Sequence, residues 1–210
     1  MTIPRMKFSI LPPRLKEGFL NGLNPLVGWL VKLKLNPNWL TTFSLLVGGA
    51  SGVCYAKGYL RWGGALVLIC GLLDTLDGKV ARATNRVTRF GALYDSTLDR
   101  YAEVIAFFGM AFYFVAHQQL LVSVAICVAL AGSLMVSYVR ARAEGLGFEC
   151  KVGLMQRPER LVLVGAGSLA HEYALIAAIF VIALLSNFTA GQRLYHVWAS
   201  EKRARSQDAT

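Results

Sequence analysis

Long apolar runs alternate along this chain with short polar, basic connections. The runs cover about 39–56, 60–82, 90–116, 119–139, 157–170 and 172–190. A hydrocarbon layer about 30 Å thick takes roughly 20 apolar residues to cross as a helix. A lone strand in lipid would leave its backbone groups unpaired, so each run is expected to be helical. Ahead of them, residues 14–35 place Phe19, Leu20, Leu23, Leu26, Trp29, Leu30 and Leu33 in a helical pattern mixed with Lys16, Lys32 and Lys34. That pattern predicts an amphipathic helix lying along the membrane surface. Asn36-Pro37-Asn38 then breaks the chain, and Trp39 stands at the first boundary as an interfacial anchor.

The last two runs are the hardest to divide. Leu161 to Leu185 reads either as one long helix interrupted at His171 and Glu172 or as parts of two helices joined there. Charge decides between them. With six spans, the N-terminal region, the 79–89 loop, the 140–160 loop and the tail hold almost all Lys and Arg on one side. Little beyond Lys57 and Arg61 stays on the other. With five spans, the tail with Lys202, Arg203 and Arg205 would lie outside, against the positive-inside rule. The expected fold is therefore an all-α integral membrane domain over 1–210. It has six transmembrane helices behind the 14–35 interfacial helix, and a mobile tail at 199–210. No internal repeat points to an inverted-repeat transporter.

Composition agrees. Of the 210 residues, 55% are hydrophobic and 16% charged, with mean hydropathy +0.48. A soluble domain carries about a quarter charged residues. The net charge of +10 raises nucleic acid, but the Lys and Arg flank apolar segments instead of forming a continuous face, which argues against it. Cys54, Cys70, Cys127 and Cys150 form no CxxC and have no nearby His, so they read as buried free thiols. The start, MTIPRMKFSILPPR, is too broken by Pro and charge for a cleaved signal peptide. His117, His171 and His196 are solitary and read as lying near helix ends, without chemistry.

Four of the five aspartates fall between residues 74 and 99. Asp74 and Asp77 are three apart and Asp95 and Asp99 four apart, so each pair shares one helix face. The polar, basic 82–90 stretch should turn at the interface and make the two helices antiparallel, bringing both pairs together. Four facing carboxylates repel unless a divalent cation lies between them. Oxygen-only ligation suits Mg²⁺ or Mn²⁺. Structural pairing with Lys79, Arg82, Arg86, Arg89 and Arg100 is the plainer alternative, but acids inside apolar spans are costly and point to function. Gly78, Gly91 and Ala81 would clear space beside them, and Arg82 adds a fork that matches phosphate.

Asp74-x2-Asp77-Gly78-x2-Ala81-Arg82-x8-Gly91-x3-Asp95-x3-Asp99 matches every specified position in the signature of the CDP-alcohol phosphatidyltransferases, and the chain resembles that family. Pro37-Asn38-x-Leu40-Thr41 ahead of the first span extends the likeness. The resemblance implies a six-helix, usually homodimeric membrane enzyme with its site open to the cytoplasmic interface. It implies metal ligation by Asp74, Asp77, Asp95 and Asp99, with Asp99 also the base. It places Asp74, Gly78, Ala81, Arg82 and Gly91 around a CDP-lipid such as CDP-diacylglycerol. An acceptor hydroxyl would attack the lipid-bearing phosphorus by direct displacement, with CMP leaving.

The acceptor is addressed by Ser137-Tyr138-Val139-Arg140-Ala141-Arg142-Ala143-Glu144 and Arg157-Pro158-Glu159-Arg160-Leu161. Their guanidiniums could hold a phosphate monoester or simply anchor helix ends. The segments resemble the phosphatidylinositol phosphate synthase branch, where Lys is common at the position of Arg140. That resemblance implies a polyol phosphate acceptor, inositol 1-phosphate, held by Ser137, Arg140, Arg142, Arg157, Arg160 and Arg193. Glu144 and Glu159 would orient the arginines. The same signature leaves the lipid phosphatidyl or archaetidyl. Glycerol 3-phosphate is the competing acceptor, and a divalent-cation transporter is the alternative outside the enzyme class.

Overall fold

A computed structural model describes Gly18 and residues 20–208, with side chains through Arg203. Seven helices are assigned over the described residues. They are α1 (Asn24–Lys32), α2 (Pro37–Ala56), α3 (Leu60–Ala83), α4 (Arg89–Ala116), α5 (Leu120–Gly145), α6 (Arg157–Ala170) and α7 (Glu172–Asp208). Local chemistry sets several of their ends. The Asn36 side chain accepts the Asn38 N–H at 3.1 Å with Pro37 in the first turn of α2, which satisfies one otherwise orphan donor. Thr88 does the same for α4, accepting the Gly91 N–H at 2.9 Å. The α2–α3 connection passes through Gly58 at φ +81°, a left-handed position natural to glycine.

The helices close into a ring. In spatial order α2 packs on α3, α3 on α6, α6 on α7, α7 on α5, α5 on α4, and α4 again on α2. Although joined by a short turn, α3 and α4 scarcely touch each other, because α2 lies along both. Small residues make that wedge possible: a Cβ on Gly109 of α4 would lie 2.1 Å from the Gly52 carbonyl oxygen of α2, and one on Gly48 would lie 2.6 Å from Ala102 Cβ. Close backbone approach through small residues is a common way for helices to associate in lipid. Gly109→Ala should therefore cost about 1–3 kcal/mol through overpacking. A thermal melt of the purified protein in detergent tests this, and an unchanged midpoint would contradict the tight α2–α4 contact.

The interior of the ring is apolar, with Tyr55, Phe114, Met110, Ile126, Met155, Leu175, Ile179 and Ile182 almost inaccessible. Tyr55 Oη and Ser168 Oγ share a 2.8 Å hydrogen bond that ties α2 to α6. The outer surface is apolar too: Trp39, Leu46, Phe108, Phe112, Leu121 and Leu184 are all exposed. A surface of that kind belongs against lipid, and α2, α5 and α7 are each long and apolar enough to cross a bilayer. The chain is a membrane protein.

Several boundaries differ from the sequence expectation. Of the stretch expected as a surface helix, residues 14–17 and 19 lie outside the described residues; Gly18 and residues 20–22 are helical, Leu23 turns, α1 ends at Lys32, and Lys34 sits at φ +53°. Val27 and Leu30 of α1 pack with Leu40, Leu76 and Val80, while Leu26, Trp29 and Leu33 are exposed. The run expected to end at 139 continues to Gly145, so Arg140 and Arg142 stand on α5 and not in a loop. Only extended His171 separates α6 from α7, which settles the ambiguous 161–185 stretch as two helices. The tail continues α7 as helix through Asp208, and His196 lies well inside α7. All four thiols are free, but only Cys70 and Cys150 are buried; Cys54 is half-buried and Cys127 lies on the outer face. Cys150 lies in the loop between α5 and α6, where burial pushes its thiol above the usual cysteine range and away from reactivity.

Candidate active site

The end of α3 and the start of α4 point their aspartates to one end of the ring, where α2 and α6 begin and α5 ends. Because α2 separates α3 from α4, side chains of α2 reach the acids directly. Thr41 Oγ1 donates to Asp77 Oδ2 at 2.7 Å, and Ser44 Oγ donates to Asp74 Oδ1. Thr41 and Ser44 are three residues apart, one turn of α2, matching the spacing of Asp74 and Asp77 on α3. Thr41, Ser44 and Asp77 are all at least 96% buried. Sequence reasoning noted Thr41 only as part of a flanking pattern and missed Ser44. Its signal was a polar residue one turn on from Thr41 within an apolar run.

Arg157, in the first turn of α6, joins the two halves of the acidic set. Its Nη2 lies 2.7 Å from Asp74 Oδ2 and its Nη1 lies 2.6 Å from Asp99 Oδ2. One guanidinium thus bridges α3 and α4. Asp95 Oδ1 is buried without a hydrogen-bond partner. Among the described residues, no three His, Cys, Asp or Glu side chains stand together at metal-holding distances. The Arg157 guanidinium lies between the carboxylates of Asp74 and Asp99. The donor set nonetheless fits a hard divalent cation. It offers carboxylate oxygens from two helices, and the buried, unpartnered oxygen of Asp95 gains a ligand if an ion enters.

Around the acids, a Cβ added at Gly78 would lie 3.5 Å from the Arg82 guanidinium nitrogens, at ordinary van der Waals contact, and Arg82 itself is exposed. Ala81 and Gly91 are half-buried. At Gly91 a Cβ would meet Thr88 Oγ1 at 2.9 Å, so a side chain there would press on the cap of α4. Lys79 Nζ donates to the Leu20 carbonyl and to Asn24 Oδ1 at 2.8 Å, tying the start of α1 and the residues before it to α3, two residues from Asp77.

The arginines divide into distinct roles by contact. Arg160 is buried, with Nε at 2.8 Å from Glu103 Oε1 and Nη2 at 3.2 Å from Glu103 Oε2, while Ser133 Oγ donates to the same carboxylate at 2.6 Å. Its Nη1 is buried with no hydrogen-bond partner. Arg193 is buried as well, donating Nε to the Val152 carbonyl at 2.8 Å and Nη1 to that of Val136 at 2.5 Å. Arg140 pairs with Glu144 at 2.9 Å along α5. Arg193 thereby sits against α5, which carries Arg140, and the loop that leads into Arg157 and Arg160 of α6, so these arginines gather at this end of the ring. Arg142 is exposed, and Ser137 lines an open groove of about 400 Å³ with Ser96, Arg100, Tyr101 and Tyr138 between α4 and α5. Glu103 has no counterpart in the sequence-level site; its signal was an acid one turn beyond Asp99 in an apolar run.

Known proteins agree with this architecture. An archaetidylinositol phosphate synthase of Methanothermobacter thermautotrophicus is 41% identical over 195 residues, covering 89% of this chain and 97% of that protein. A phosphatidylinositol phosphate synthase of Mycobacteroides abscessus is 34% identical over 194 residues, covering 88% and 87%. The crystal structure of the Mycobacterium tuberculosis phosphatidylinositol phosphate synthase with CDP-DAG bound superposes with TM-score 0.76 at 31% identity, covering 83% of this chain and 92% of that one. The same enzyme in complex with manganese and citrate gives TM-score 0.77 over 83% and 88%. The family described as CDP-alcohol phosphatidyltransferase matches residues 34–199, a span that holds both aspartate pairs and every arginine of the cluster. This chain is a membrane enzyme of the CDP-alcohol phosphatidyltransferase family.

Proposed function

We propose that this enzyme transfers a phosphatidyl or archaetidyl group from a CDP-linked lipid to inositol 1-phosphate, with release of CMP. The observation that carries the reading is the meeting of two aspartate pairs with a cluster of arginines at one end of the ring. Relatives named for inositol phosphate products, one of them archaetidyl, support both the acceptor and the open choice of lipid.

Asp74, Asp77, Asp95 and Asp99 would hold Mg²⁺ or Mn²⁺, which when bound neutralises diphosphate charge and eases departure of the leaving group. Thr41 and Ser44 fix the rotamers of Asp77 and Asp74 through their hydrogen bonds. Gly78, Ala81 and Gly91 keep side-chain bulk away from the nucleotide, and exposed Arg82 offers its guanidinium to a phosphate. Asp99 takes the proton of the acceptor hydroxyl as the new P–O bond forms and the bond to CMP breaks. Arg140, Arg157, Arg160 and Arg193 supply the positive field for the acceptor phosphate, with Ser137 and Arg142 at its edge. Arg160 and Arg193 act from behind, since their own bonds already engage Glu103 and backbone carbonyls.

The helices from α2 to α7 make six spans, and α1 lies in the cytoplasmic interface. The aspartate end, which carries Lys79, Arg82, Arg86, Arg89, Arg140, Arg142 and Lys151 against Lys57 and Arg61 at the other end, faces the cytoplasm. The enzyme works as a homodimer in the cell membrane.

An acceptor screen with one CDP-lipid tests the assignment. Mn²⁺- or Mg²⁺-dependent CMP release should be fastest with inositol 1-phosphate and slow with free inositol or serine. Preference for glycerol 3-phosphate would move the enzyme to the competing acceptor class.

A further inference from the structure

The bridging position of Arg157 has a consequence for metal binding. Its guanidinium contacts Asp74 and Asp99 at once, from a third helix. The side chain is only 19% exposed, and its Nε is buried without a hydrogen-bond partner. Asp74 Oδ2 has this charge contact but no well-aligned hydrogen bond. The pair is therefore held by charge more than by the matched fork geometry that makes arginine–carboxylate bonds strong. A divalent ion reaching Asp74 and Asp99 would meet a guanidinium already lying between them, and two cations at that separation in a poorly solvated site repel strongly. The ion and this conformation of Arg157 exclude one another.

We propose that Arg157 is a resident counter-cation that occupies the place of the metal between Asp74 and Asp99 and is expelled when the metal binds. Expulsion releases a guanidinium, tethered at the start of α6, to the acceptor phosphate. Metal binding thus arms the acceptor site, and by linkage a bound acceptor phosphate that holds Arg157 away tightens metal binding in return. Arg160, one turn further along α6, stays locked to Glu103 and fixes the helix about which Arg157 swings. The inference rests on the aspartates being the metal site, as proposed above.

Mn²⁺ binding by the full-length, EDTA-stripped protein in nanodiscs, without nucleotide or acceptor, tests it; free Mn²⁺ is read by electron paramagnetic resonance. Arg157→Gln should bind Mn²⁺ at least tenfold more tightly than the parent protein. Arg157→Lys, which presents a point charge able to reach one carboxylate at a time, should fall between them and keeps the test usable if the glutamine variant does not fold. Thermal midpoints give a second readout. In EDTA Arg157→Gln should melt below the parent protein, and saturating Mn²⁺ should close the gap. Unchanged or weaker Mn²⁺ binding in the folded variants, or a gap that persists in Mn²⁺, would overturn the proposal. Asp77→Asn in each background keeps the two readings apart: if it leaves Mn²⁺ binding untouched, the aspartate metal site itself fails.

Discussion

Asp99→Asn is expected to lower transfer about 10²–10⁴-fold, the range contributed by a positioned general base, while CDP-lipid binding is retained. Asp99 lies on α4, one turn from Asp95, and its Oδ2 is held by Arg157 at 2.6 Å. Asparagine keeps the shape and one acceptor oxygen but cannot take a proton. The amide also removes a negative charge beside Arg157, so its guanidinium remains paired with Asp74 alone. The check is a paired measurement: CMP release under saturating Mn²⁺, and equilibrium binding of the CDP-lipid to the same preparation. Loss of both in parallel would make Asp99 a binding residue, and near-normal turnover would remove it as the base.

Arg160→Ala is expected to act first on stability. Sequence reasoning would have it weaken use of the acceptor more than that of the CDP-lipid, as a phosphate ligand. The guanidinium is instead 1% exposed and bonded twice to Glu103, which Ser133 also holds. Removing it leaves a carboxylate buried between α4, α5 and α6 with a single hydroxyl partner. Breaking a buried pair in this way costs about 3–5 kcal/mol. A steep drop in thermal midpoint should therefore accompany any change in kinetics. Replacing both partners by apolar residues, Glu103→Leu with Arg160→Met, should recover much of the stability, since a well-packed apolar pair can match a buried ion pair. If Arg160→Ala melts normally and only the KM for the acceptor rises, Arg160 is free to bind phosphate and the buried pair is not what holds the three helices together.

The two expectations differ because neighbouring charges differ in a way that chain position does not reveal. Arg157 and Arg160 are three residues apart on α6, and both read as forks for a phosphate. In the folded chain one faces Asp74 and Asp99 at the aspartate end of the ring, and the other faces Glu103 in the interior. Glu103 stands one turn beyond Asp99 on the same helix, and nothing in the sequence singles it out as the partner of Arg160. Burial separates their roles, and burial is a property of the ring.

The primary sequence by itself determined the helical segments, their polarity and the family. Apolar run length and the cost of unpaired backbone in lipid leave few alternatives to helices. The spacing of Asp74, Asp77, Asp95 and Asp99 puts acids on defined helix faces with no knowledge of what those faces meet. Their neighbours were decided by tertiary structure alone. Glycines at 48, 52 and 109 let α2 lie close against α4, and Gly63 lets α3 approach Tyr55 of α2, so Thr41 and Ser44 became the partners of Asp77 and Asp74. The start of α6, some 60 residues further along the chain than Asp99, brought Arg157 between the acids. Period and composition record which way a side chain points along its own helix. The charge it finds there depends on how six helices close into a ring, and only close packing between segments distant in the chain sets that.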